Sequence, residues 1–300
     1  MRRAIVLAAA VCAGAAYAES TTTTTSTHRS SKSKSKSKSR SRSRSRSKSH
    51  KTKHKHAHAR MSVHASATID HGHDDKPDHV DPLAKTRFTT PPDATDSPAY
   101  HYGSLSSEKC LAELDARKIS YKRETARGVA TPVRLTGPLH GVVFHGDMAE
   151  KDRANSPHEI ADCALVLALD DFAAEILVPH DIVEVKHYSM WRPPPESWPA
   201  DQIAKRHPGA VAIDAAHFVK KDGTVLKVLD DFHGAIDDPT CGPDAAPHPV
   251  TPEATELRAI VCETAAKRIF NVILTPDYNY EHRNHFHMEV TSGVKWFLLH

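Results

Sequence analysis

The chain has 300 residues and a formal net charge of only +3, with 26% charged and 6% aromatic residues. That small sum conceals a division: residues 1–60 hold 16 of the 40 Lys and Arg and a single acid, Glu19, so residues 61–300 carry 24 basic and 36 acidic side chains, a formal −12. A single uniform globule is therefore excluded in favour of a basic arm on an acidic body, and no stretch beyond the extreme N-terminus is long and apolar enough to span a bilayer.

Met1-Arg2-Arg3 is a basic start, Ala4 to Ala16 is apolar, and Ala16-Tyr17-Ala18 fits a small-x-small cleavage pattern. Residues 1–18 therefore read as a signal peptide, too short for a transmembrane helix. The mature chain is expected outside the cytoplasm, secreted or in the periplasm and envelope. Residues 19–99 read as a disordered arm and linker. Ser30 to Lys55 alternates serine with lysine or arginine, then histidine with lysine. Such a segment has nothing apolar to bury and repels itself, so it cannot offset the entropy of folding. Behind an export signal it is expected to bind an anionic envelope polymer rather than a specific nucleic acid, with a plain spacer as the alternative.

Ordered structure is expected from about Tyr100. Ser107 to Ser120 reads as a short helix with Leu111 and Leu114 on one face. Val129 to Leu135 and Val142 to Phe144 read as strands. Ser156, Pro157 and Glu159 form an apparent capping box for a long helix whose apolar face is Ile160, Cys163, Ala164, Leu167 and Ile176. Ile182 to Tyr188 is a strand, and Pro193-Pro194-Pro195 opens a rigid loop reaching His207. Ala210 to Ala216 is a buried strand, and the turn Lys221 to Thr224 leads into Val225 to Leu229. Thr251-Pro252 starts a second helix with Leu257, Ile260, Val261, Ala265 and Ile269 at helical spacing. Tyr280 to Val290 is a last strand. Strands interleaved with two long helices predict a single α+β domain over residues 100–300, with a central, mostly antiparallel sheet flanked by helices.

Removing the leader leaves Cys110, Cys163, Cys241 and Cys262, an even number in an exported chain. Two disulfides are expected. Of three possible pairings, Cys241–Cys262 is favoured because both lie in one local segment, which leaves Cys110–Cys163; buried free thiols are the alternative.

The chemistry centres on His285-Phe286-His287. Two histidines two apart on a strand share one face and can serve one metal site. His207 and Asp214, separated by six residues around the mouth of a strand, supply further candidates. His207, Asp214 and His287 make a two-imidazole, one-carboxylate set of the kind that holds catalytic zinc with a water in the remaining position. His285 then stands beside the metal, placed to move a proton. Glu289, on the same strand face, is a candidate partner for a ligand or simply an exposed acid.

The pattern His-x6-Asp followed by His-x-His resembles the zinc peptidases grouped around lysostaphin, D-alanyl-D-alanine carboxypeptidases and hedgehog. More narrowly, Pro276-Asp277-Tyr278-Asn279 with His282-Arg283-Asn284-His285-Phe286-His287 resembles the signature of the bacterial extensin-like C-terminal domain, over about residues 105–294. The resemblance implies Zn2+ held by His207, Asp214 and His287, His285 as the catalytic histidine, and Arg192 as a group that binds substrate carboxylate or polarises a carbonyl. The implied activity is that of a secreted zinc peptidase acting on a peptide bond of peptidoglycan. The chain departs from the pattern at Lys205, where relatives carry serine, and at Ala210, where they carry glycine. Trp191 stands in place of a cysteine, and Asn284 in place of an acid. An amide cannot act as a general base, so the alternative reading is a zinc-stabilised envelope-binding module with weakened or lost catalysis.

Overall fold

The structure, a computed structural model, describes residues 87–300. The expected signal peptide and most of the expected arm and linker lie outside the described residues. Strand β1 (Arg87–Thr89) precedes residue 100, where the sequence placed the start of the domain, and pairs with the chain's last strand. Helix α1 (Pro98–Gly103) is capped by Ser97, whose hydroxyl accepts from Tyr100 N–H at 3.2 Å. Helix α2 (Ser107–Ala116) follows, then β2 (Tyr121–Arg123), β3 (Pro132–Leu135), β4 (Val143–Gly146), a one-turn α3 (Glu150–Arg153) and β5 (Ala161–Asp162). Helix α4 (Cys163–Phe172) runs into a π turn (Ala173–Leu177) and is followed by β6 (Ile182–His187). The second half adds β7 (Ala212–Lys220), β8 (Val225–Lys227), α5 (Val228–Asp231), α6 (Pro252–Ala266), β9 (Val272–Leu274), β10 (Phe286–Glu289) and β11 (Phe297–Leu299).

This is a mixed α+β domain built on an eight-stranded sheet in the order β1-β11-β9-β10-β7-β6-β4, with β8 also on β7. Only β4–β6 and β9–β11 are parallel. Strand β7 organises the sheet because it is long and apolar. Strand β6 takes one of its edges, while β10 and β8 share the other in succession. A smaller sheet, β2-β3-β5, lies apart from this path. The reversal between β7 and β8 uses Gly223, at φ 91°, where a side-chain-bearing residue would be strained.

Two sequence expectations are corrected here. Ser156 does cap, accepting from His158 N–H at 3.2 Å, but it starts only a 3-10 turn. Glu159 does not complete the capping box, because its carboxylate is taken by Gly146 N–H at 2.6 Å. The long helix starts after β5, capped by Asp162, which accepts from Ala164 N–H at 2.9 Å. That helix is also not amphipathic: it is apolar nearly all round and buried from Cys163 to Asp170, as expected of a helix enclosed within a domain. The second correction concerns Tyr280 to Val290, of which only Phe286–Glu289 is strand; Tyr280–His282 is a 3-10 turn.

The disulfides are Cys110–Cys163, joining α2 to the start of α4, and Cys241–Cys262, tying the long loop before α6 to that helix. Their Cα separations of 6.1 and 5.7 Å are ordinary for the bond. The aromatic part of the core runs beneath β10. Phe286 is fully buried, with its ring centroid 5.8 Å from Phe218 and 5.4 Å from Phe232.

Candidate metal centre

Strand alternation separates core from chemistry. Phe286 faces the core, so its neighbour His287 faces the other side of the sheet, opposite Asp214 in the β10–β7 register. Asp214 is 1% exposed and its Oδ1 is a point of convergence. His207 Nε2 lies 2.9 Å from it, His287 Nδ1 3.1 Å and His285 Nε2 3.3 Å. His207 arrives from a 3-10 turn (His207–Gly209) immediately before β7. Among the described residues, His207, Asp214 and His287 are all buried, and their ligand atoms lie within 4.8 Å of one another.

The outer nitrogen of each ring meets a group that accepts a proton. His207 Nδ1–H donates to the Met190 carbonyl at 3.2 Å. His287 Nε2 faces Glu289 Oε2 at 3.4 Å, and Glu289 is itself held by the Thr291 hydroxyl, which donates to it at 2.7 Å. His285 Nδ1 faces the amide oxygen of Asn284 at 2.9 Å, and the Asn284 amide donates to the Tyr188 hydroxyl at 3.2 Å. With the protons placed outward, three nitrogen lone pairs point at one carboxylate oxygen. Lone pairs at that distance repel unless a cation or a proton lies between them. Tetrahedral zinc with bonds of about 2.0–2.2 Å sets its ligand atoms about 3.3 Å apart, close to the spacings around Asp214 Oδ1. The residues therefore fit a metal of this class.

In the other protonation state, with hydrogens on the inner nitrogens, the same rings hold Asp214 as donors. Burial by itself raises the Asp214 carboxyl pKa, but hydrogen bonds from His207, His285 and His287 and the charge of His207 outweigh it and hold the group far below the usual carboxylate range. For His287 burial acts downward and is outweighed by Asp214 and Glu289, which raise it. Glu289 is lowered: burial pushes it up, but His287 and Thr291 pull it down further.

Arg192 sits at the rim, its side chain 52% exposed and its guanidinium Nη2 on Asp214 Oδ2. Its Nε donates to the Ser189 hydroxyl at 2.8 Å, which in turn donates to Asp214 Oδ2 at 3.4 Å. The five residues singled out in the sequence are thus brought together around one carboxylate. His282 was missed. Its ring centroid lies 5.2 Å from His285 and 5.9 Å from His287, and its Nδ1 is 2.7 Å from Asn279 Oδ1. Burial and the charges of His285 and His287 push its pKa down to about 4, so it stays neutral at physiological pH. The available signal was its place three before His285 in a histidine-rich run.

The loop before β10 is held from below. Asp277 is fully buried and accepts from the Thr240 hydroxyl at 2.9 Å and from Arg258 Nη1 at 3.3 Å. Arg258, from α6, also covers the Phe232 ring at 4.4 Å. A buried charge pair of this kind adds little net stability, but removing one partner is costly. It anchors the segment that carries the histidines.

The family model described as extensin-like protein C-terminus matches residues 108–297. No curated protein and no solved structure matches the chain.

Proposed function

From the premise that the chain belongs to the extensin-like C-terminal family, and from the convergence on Asp214, we propose that it is an exported zinc-dependent peptidase acting on a peptide bond of peptidoglycan. The observation that carries the reading is the set of three imidazole nitrogens aimed at Asp214 Oδ1, each ring with its other nitrogen on an acceptor. His207, Asp214 and His287 would hold the ion. Zinc, when bound, polarises a carbonyl and brings the pKa of a bound water toward about 7.

The chain's own residues supply the rest. His285 presents Nε2 to the site and would take a proton there and later return it to the leaving amine. Asn284 fixes the orientation of that ring through Nδ1. Half exposed at the rim, Arg192 is placed to bind a substrate carboxylate or carbonyl oxygen. The two disulfides suit an oxidising compartment, and no helix among the described residues is long and apolar enough to cross a membrane. The basic arm is suited to holding the enzyme on an anionic envelope polymer. Incubation of the zinc-loaded chain with purified sacculi should release new amino termini, and a chelator should stop it. No release under several conditions would count against the reading.

Asn284 favours a second reading. A neutral amide orients His285 without supplying the negative charge that steadies an imidazolium. The site then binds zinc and envelope polymer with little turnover. Asn284→Asp separates the two: if hydrolysis appears only in the variant, the natural chain is the binding module.

A further inference from the structure

The loop that carries the histidines has a second side. Asn279, Tyr280 and Arg283 interleave with the site residues His282, Asn284 and His285, and they line a cleft of about 420 Å3 whose other walls include His233, Ile236 and His248. The volume is that of a small-molecule site. Asn279 belongs to both sides, since its amide oxygen holds His282. The cleft therefore adjoins the metal centre through one short stretch of backbone.

Its dominant feature is Tyr280, 68% exposed. An exposed tyrosine is ordinarily free to rotate. Here the Arg283 guanidinium lies over its ring at 4.1 Å, and Arg283 Nη1 donates to the Tyr280 carbonyl at 2.9 Å. The guanidinium backs one face of the ring, and the high exposure of the residue leaves the opposite face as an aromatic platform. The C–H groups on the flat face of a pyranose carry partial positive charge and sit well against the negative face of such a ring. The imidazoles of His233 and His248 supply partners for hydroxyl groups. The floor is tightly built: a Cβ on Gly234 would come within 1.9 Å of Asp277 Oδ1. An extended peptide would take main-chain hydrogen bonds from a strand edge, whereas the residues lining this cleft belong to α5, to the 3-10 turn Tyr280–His282 and to loops.

We propose that the cleft is a subsite for a sugar ring of the envelope glycan, with Tyr280 as the stacking platform and Arg283 as the residue that holds it. The inference rests on the reading that the adjoining site acts on peptidoglycan, because it makes the cleft the place where the glycan next to the scissile peptide is held.

The test uses calorimetric titration of the full mature chain with a neutral probe, the β-1,4-linked tetramer of N-acetylglucosamine, so that the basic arm contributes no charge attraction. Saturable binding is expected, weakened about tenfold in Tyr280→Ala and retained in Tyr280→Trp. His287→Ala, which faces the metal centre, should bind the tetramer as the wild type does. A parallel titration with a stem-type tripeptide completes the test. Absence of tetramer binding, or binding unchanged in Tyr280→Ala, overturns the proposal, as does Tyr280-dependent binding of the tripeptide alone. Tetramer binding without any hydrolysis of sacculi leaves the subsite standing and removes the peptidase reading; hydrolysis without Tyr280-dependent binding does the reverse.

Discussion

Along β4 and β6, His145 pairs with Glu184 and His187 with Glu159. His145 Nε2 lies 2.5 Å from Glu184 Oε1, and His187 Nε2 stands 3.6 Å from Glu159 Oε2, an ion-pair distance rather than a hydrogen bond. Across the sheet path, around Asp214, the same residue types converge on one oxygen. Both regions are largely buried, Glu184 being the more exposed member of its pair, and both are rich in histidine. The pairs have no common point, and no three of their ligand atoms form a group able to share an ion among the described residues. Histidine content therefore says little about metal binding. Convergence of lone pairs, with each outer nitrogen already committed, says much more.

The two regions should differ most in thermal unfolding. If the proposed site binds zinc, the ion at about a thousand times its dissociation constant would stabilise the folded state by roughly 4 kcal/mol, or about 10 °C in a domain of this size. Chelation should lower the melting temperature by that amount in the wild type and in His187→Ala relative to its own zinc-loaded form. It should leave Asp214→Ala unmoved. A chelator shift in Asp214→Ala equal to that of the wild type would place the metal elsewhere.

A smaller effect is expected one step out. Glu289 fixes the ring of His287, so Glu289→Gln should weaken zinc affinity by about 10–100-fold in a competition titration. Glu159→Gln, the matching change in the paired cluster, should leave affinity unchanged. Equal losses in both would erase the distinction.

The smallest effect concerns pH. Burial raises Glu159, but the His187 imidazole and the Gly146 N–H lower it further, so its folded pKa is below the ordinary 4.5. A depressed carboxyl contributes stability that is present above the unfolded pKa and lost as pH falls through the folded one. The advantage of the wild type over Glu159→Gln should therefore be full at neutral pH and shrink below about pH 4.5. Denaturant unfolding at pH 7 and at pH 3.5 would read it; an advantage that grew on acidification would contradict the assignment.

Much of this was legible in the chain because the signals were local. Ala210 to Ala216 is apolar except at Asp214, so an acid in a buried strand stood out. His285 and His287 flank Phe286 at the spacing that puts both on one side. The pairing of Cys241 with Cys262 followed from their closeness in the chain. What was missed depends on distant partners. Glu159 looked like the end of a capping box because its real partner, Gly146 N–H, lies on another strand. β9 and β11 are three residues each, too short for an alternation, and exist through pairing with β10, with β1 and with each other. The inward face of α4 was readable, but its complete enclosure was not, since nothing local marks what packs on its other side.

On the proposed reading, Asp214, His207 and His287 form one metal site. Native mass spectrometry of the full chain after zinc loading and desalting tests it directly. One equivalent of zinc on the wild type and none on His287→Ala, with the variant still folded by circular dichroism, is the expected result. Zinc retained at one equivalent by His287→Ala, or absent from the wild type, would contradict the account.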